Sequence, residues 1–201
     1  MRYLIRYIYL VLVAVLICAC GSHSVPKPFG FFYIAIPDTA YQPLSSYYTA
    51  DGNRPCADFP YDFALSKNAQ VILRTDSGEH YWMNIHYPTL NADIHCSYKP
   101  VQGNLRQLTD DAMGFVYKHA SQASAIPERA YENPEKHVYG VLFDLQGNTA
   151  SSAQFFVTDS THHFFRASIY CNCKPNADSL APIYEYLQQD VIRIVETLEW
   201  K

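Results

Sequence analysis

The chain has no long hydrophobic run. Its most apolar stretch, Tyr7 to Ala19, falls well short of the roughly 20 residues that a membrane-spanning helix needs. Nor is there a surplus of positive charge: 15 Lys and Arg face 19 Asp and Glu, a formal net charge of −4. Nucleic-acid binders carry a basic surplus or stripe, so that class is excluded, as is simple attraction to acidic headgroups. The sequence contains no Gly-x-Ser-x-Gly elbow, no His-Glu-x-x-His, no Walker loop and no Gly-x-Gly-x-x-Gly turn. With them go the common signatures of hydrolases, metallopeptidases and nucleotide enzymes. Repeats and low-complexity segments are missing too.

What the chain does have begins at its N-terminus. Arg2 and Arg6 form a short basic segment, the apolar stretch follows, and Ile17-Cys18-Ala19-Cys20-Gly21 closes it. The order aliphatic, small, small, Cys, Gly resembles a bacterial lipobox, so residues 1–19 read as a lipoprotein signal peptide and Cys20 as the lipidation site. A plain secretory signal would not explain a cysteine at the cleavage point. Each buried methylene is worth about 0.8 kcal/mol, so several acyl chains on Cys20 make a lasting anchor where one holds only marginally. Gly21 to Pro28, with its serines and prolines, cannot pack and makes residues 20–28 a tether. Residues 29–201 then form a single globular domain, a suitable length for one substantial core. No acidic residue follows Cys20, where Gly21-Ser22-His23-Ser24 stands. That favours a lipid-anchored protein of the cell envelope facing the periplasm.

Aromatic and β-branched residues gather in short runs: Phe31 to Ile36, Tyr61 to Leu65, Gln70 to Arg74, Tyr81 to Tyr87, Asp93 to Tyr98, Val138 to Leu145, Ser151 to Thr158 and His162 to Cys173. Bounded by turn residues, these predict strands. Asp76-Ser77-Gly78, Gln146-Gly147-Asn148 and Asp159-Ser160-Thr161 are short enough for antiparallel hairpins, and the last two make a three-strand meander. Alternation sends Tyr139, Val141, Phe143 and Leu145, then Ala153, Phe155 and Val157, then Phe165, Ala167, Ile169 and Cys171 toward the core. Leu105, Leu108, Ala112, Phe115, Val116 and His119 step at helical spacing. So do Leu180, Ile183, Tyr184, Leu187, Val191, Ile194, Val195 and Leu198, with Asp178 or Ser179 as cap and Pro182 in the first turn. The expected fold is α+β: an antiparallel sheet flanked by helices, with a long C-terminal amphipathic helix packed on it. The order of elements resembles the sandwich of the PsbP and Mog1 type.

Candidate chemistry is sparse. Ser151 or Ser152, His162 and Asp144 could be drawn as a triad, but surface hydroxyls on strands explain the serines more simply. His162 with His163, Cys171 with Cys173, and His95 with Cys96 are metal-ligating types at spacings that match no zinc pattern, and alternation points His162 and His163 to opposite faces. No metal or cofactor is therefore expected. Cys56, Cys96, Cys171 and Cys173 read as free thiols, the last pair facing inward from one strand. A loop with Tyr41, Leu44, Tyr47 and Tyr48 is either an aromatic contact patch for protein or glycan, or a segment that folds back over the sheet.

Many short segments in order resemble one family. They include Ser97-Tyr98-Lys99-Pro100-Val101, Tyr117-Lys118-His119, Asn133-Pro134-Glu135-Lys136 with Val138-Tyr139-Gly140, Gly147-Asn148-Thr149-Ala150-Ser151-Ser152, Thr158-Asp159-Ser160-Thr161, Asp178-Ser179-Leu180-Ala181-Pro182 and Glu196-Thr197-Leu198-Glu199-Trp200-Lys201. Together they resemble the gliding-motility lipoprotein GldD family. The resemblance implies a Bacteroidetes envelope lipoprotein whose partners are proteins of the gliding apparatus and the type IX secretion system, and it implies no reaction. The resemblance is dense around the turns Gly147-Asn148 and Asp159-Ser160-Thr161 and around Pro175 to Asp178. Asp159, Thr161 and Arg166, with no evident task in the fold, are a candidate partner surface, the rival being that Asp159 and Thr161 close their own turn by side-chain to backbone bonds. The alternative is a lipoprotein that binds a glycan or small molecule.

Overall fold

The computed structural model describes Arg6, residues 33–74 and residues 78–201. Cys20, the tether and most of the Asp76-Ser77-Gly78 turn lie outside these residues. In chain order the elements are β1 Tyr41–Pro43, β2 Tyr61–Asp62, β3 Ala64–Ser66, β4 Gln70–Leu73, β5 Met83–Tyr87, β6 Ala92–Pro100, α1 Leu105–Tyr117, β7 Ala123–Ala125, β8 Glu128–Asn133, β9 Val138–Asp144, β10 Gln146–Gly147, β11 Ser151–Thr158, β12 His163–Cys171, α2 Ala177–Thr197 and β13 Glu199–Trp200. Seven strands form an antiparallel sheet in the order β4-β5-β6-β12-β11-β9-β8. The meander β9-β11-β12 lies within it, as the turn residues require.

One sheet face carries the main core. Ile85, Ile94, Phe155, Phe165, Ala167 and Ile169 meet Ile183, Leu187, Val191 and Ile194 of α2 there, all 6% exposed or less. Each of these larger side chains is worth about 1.5–3 kcal/mol on burial, which is why the helical stripe cannot stay in water. The segment before β4 completes this layer: Leu44, Cys56, Phe59, Tyr61, Phe63 and Leu65 belong to the same core. On the opposite face a smaller cluster of Phe143, Leu145, Phe156 and Phe164 packs against Ala112 and Val116 of α1. Helices thus lie on both faces of an antiparallel sheet.

Two-sided coverage corrects several expectations. All eight residues of β11 are buried, so Ser151 and Ser152 are interior rather than surface hydroxyls. On β9 the phase is split: Val138 and Leu142 enter the main core, whereas Phe143 and Leu145 face α1. Cys171 ends its strand half-buried and Cys173 lies beyond it, exposed, so the two thiols do not both face inward. Residues 33–36 form no strand. The α2 cap is Asn176, whose Oδ1 accepts the Ser179 amide at 3.2 Å, and the helix begins early enough to put Pro182 beyond its first turn. The polar edge strand β8 has no sequence expectation behind it; it buries little, so it leaves no apolar alternation.

Candidate functional site

Coverage of the sheet by α1 is incomplete, and the sequence changes character where the helix stops. Under α1 the residues are phenylalanines; toward β5 and β6 the same face bears Asn84, His86, Asp93, His95 and Ser97, with Arg166, Ser168 and Tyr170 beside them on β12. These polar groups are knitted together. His86 Nδ1 lies 2.8 Å from Asp93 Oδ1, and Asn172 Nδ2 donates to Asp93 Oδ2 at 2.6 Å. His95 Nδ1 lies 2.7 Å from Asn84 Oδ1, and its ring sits 5.1 Å from that of Tyr170. Burial lowers the His95 pKa below the ordinary imidazole value, so this histidine is neutral at pH 7.

A cleft of about 320 Å³ opens at the seam between α1 and this polar half. Leu108, Ala112 and Phe164 give it an apolar lining, while Trp82 and Phe115 add aromatic surface. Arg74, Lys99 and Arg166 bring positive charge and Asp111 negative. Trp82 is held by its Nε1, which donates to the Tyr98 carbonyl at 2.9 Å. Lys99 Nζ is 2.8 Å from Glu79 Oε1 and 5.4 Å from the centre of the Trp82 ring. Arg166 Nη2 donates to Gln154 Oε1 at 2.9 Å, and its guanidinium carbon is 4.4 Å from the Phe115 ring centre. Burial pulls the Arg166 pKa down from the usual guanidinium value, though an arginine stays charged at any physiological pH.

The structure brings Asp159 and Thr161 together and puts Arg166 elsewhere. Asp159 closes the β11–β12 turn: its Oδ1 accepts the amides of Thr161, His162 and His163 at 3.0, 2.8 and 2.7 Å, and its Oδ2 accepts the Thr161 hydroxyl at 2.9 Å. Both residues border a groove with Lys136, His163, Glu199 and Trp200, whereas Arg166 lines the α1 cleft. In the tyrosine loop, Tyr41 donates to Asp190 Oδ1 at 2.6 Å and Tyr47 to the Ser66 carbonyl at 2.7 Å, leaving Tyr48 64% exposed. Asp190, 1% exposed in the apolar stripe of α2, also accepts the Tyr87 hydroxyl at 2.8 Å. Sequence reasoning passed over it, although a lone carboxylate three residues after Leu187 was the available signal.

The triad does not assemble. Ser151 pairs with Tyr170 while Thr158, at the other end of β11, pairs with Phe164, so His162 lies about 20 Å or more from Ser151 along the strand at ~3.4 Å per residue. Among the described residues no three His, Cys, Asp or Glu side chains are grouped to hold a metal ion, and no helix is long and apolar enough to cross a membrane.

Against known families, the model for gliding motility lipoprotein GldD matches residues 21–200. The chain belongs to the GldD family. A comparison with curated proteins finds no match. The family places the chain among lipid-anchored envelope proteins associated with gliding motility.

Proposed function

We propose that this GldD-family protein is tethered through lipid on Cys20, faces the periplasm, and supports the gliding and type IX secretion machinery through protein contacts without catalysing a reaction. The observation that carries this reading is the family match across residues 21–200. The half of the sheet left open by α1 supports it. A polar, internally bonded surface on rigid strands suits a contact area, because its side chains are ordered before a partner arrives. Asp159, Thr161 and Arg166 are retained as candidates, the first two through the turn they shape and the last through the cleft. The layering, helices on both faces of an antiparallel sheet, also supports a sandwich of the PsbP and Mog1 type. The test is complementation of a deletion strain in the host. Wild-type protein restores gliding and secretion and takes up a fatty-acid label; Cys20→Ser takes up none and fails to restore movement. A fully active, unlabelled Cys20→Ser protein refutes the tethered role.

One observation favours a second reading, a lipoprotein that holds a small ligand. The seam cleft has the size and the apolar-plus-polar lining of small-molecule sites, which run from about 300 Å³ upward. Its aromatic groups are Trp82, Phe115 and Phe164, whereas Tyr41 and Tyr47 of the loop are engaged internally.

A further inference from the structure

We infer that the cleft between α1 and the sheet receives a carboxylate carried on a flat apolar body, with Arg166 as the group that grips the anion. This rests on the second reading above and names its ligand class. Arg166 is bonded to a neutral amide oxygen, from Gln154, and stacked against Phe115. Among the described residues no carboxylate lies within ion-pair distance of it. A cation taken out of water is costly unless it is paired, and one hydrogen bond uses one of five guanidinium donors. Gln154 is 1% exposed, so its oxygen fixes the fork in place. A planar fork held in this way suits a carboxylate, whose two oxygens match it.

The surroundings agree. Lys118 Nζ lies 4.5 Å from the same Phe115 ring centre, so that ring carries two cations. Lys99 and Arg74 stand on the cleft lining against Asp111, and Lys99 shares its charge with Glu79. In a chain of net charge −4 this is a local positive field, which concave apolar walls strengthen. The Trp82, Phe115 and Phe164 rings give a flat body something to lie against.

The test uses the protein purified in detergent and labelled with 5-fluorotryptophan. The chain has two tryptophans; Trp82 lines the cleft and Trp200 does not, and Trp200→Phe assigns the two fluorine resonances. Benzoate at millimolar concentration shifts the Trp82 resonance saturably and leaves Trp200 in place; benzamide, of the same shape without charge, is about tenfold weaker. Arg166→Gln weakens benzoate by about tenfold, the loss of roughly one charge-assisted contact. If that variant unfolds, Arg166→Lys, which keeps the charge and loses the fork, binds several-fold more weakly than wild type. Benzoate and benzamide binding equally, unaffected by Arg166 substitution, overturns the anion assignment and leaves a neutral ligand cleft. Inorganic phosphate acting as benzoate does overturns the need for an apolar body. No Trp82 shift with any probe overturns the ligand reading itself, and leaves the protein-contact reading standing.

Discussion

Replacing Asp159 by Ala removes four hydrogen bonds from one turn. Three of them come from backbone amides to a single carboxylate oxygen. Hydrogen bonds to a charged group are worth about 1.5–3 kcal/mol each where buried. Thr161 and His162 are exposed, so water replaces much of what their amides lose, while the half-buried His163 amide bears the larger cost. The expected loss is about 2–4 kcal/mol, or about 4–16 °C in melting temperature for a chain of this size. Ser160 holds φ 71°, a conformation that costs a non-glycine residue roughly 1–2 kcal/mol, so relaxation of the turn in the variant offsets part of that loss. The pH dependence has a definite sign. Burial alone would raise the Asp159 pKa, but the amides of His163, His162 and Thr161 outweigh it and hold the carboxyl well below its ordinary value. A depressed folded pKa gives stability that is present above the unfolded value of about 3.9 and is lost as pH falls through the folded one. Thermal unfolding of wild type and Asp159→Asn from pH 7 downward should therefore show a gap that closes below about pH 4. An Asp159→Ala protein that melts within a degree of wild type would refute the structural account and return Asp159 to a purely external role.

Three further outcomes are expected. Gly140→Ala should unfold the protein or cost several kcal/mol, because a β-carbon there would fall on the Phe156 carbonyl oxygen of the neighbouring strand; circular dichroism decides it. Among the described cysteines, iodoacetamide at pH 8 should modify Cys173 first, since it is the exposed one, while burial pushes Cys56 up to about 11 and Cys171 up to about 12; peptide mapping showing Cys56 labelled at an equal rate contradicts this. Asp190→Ala should cost about 2–5 kcal/mol by leaving the Tyr87 and Tyr41 hydroxyls without their acceptor. Burial raises the Asp190 pKa against the opposing pull of the two hydroxyls, so its contribution falls as pH rises through that raised value, a limb that Asp190→Asn should lack in chemical denaturation.

The β11–β12 hairpin and α2 were legible because each has one dominant period: Phe155 and Val157 alternate with residues of the other face, and Leu187, Val191 and Ile194 repeat at helical spacing. β9 was legible as a strand but not in phase, since Val138 and Leu142 serve one core and Phe143 the other. β8 was illegible because an edge strand of Glu128 to Asn133 has little to bury. The open half of the sheet was illegible for a related reason. Asn84, His95 and Tyr170 come from three strands, and nothing in their spacing says that α1 stops short of covering them. Arg166 was singled out, but with Asp159 and Thr161, from which the strand direction separates it.

The central claim, that the open half of the sheet is the contact surface of a tethered envelope protein, is tested most directly by photocrosslinking in the host. A photoreactive residue replaces Ile72, 38% exposed on that half, and in a second strain Glu185, exposed on α2. The account predicts a discrete crosslinked product from position 72 that contains an envelope protein required for gliding or secretion, and none from position 185. A product from position 185 with none from position 72 would contradict it.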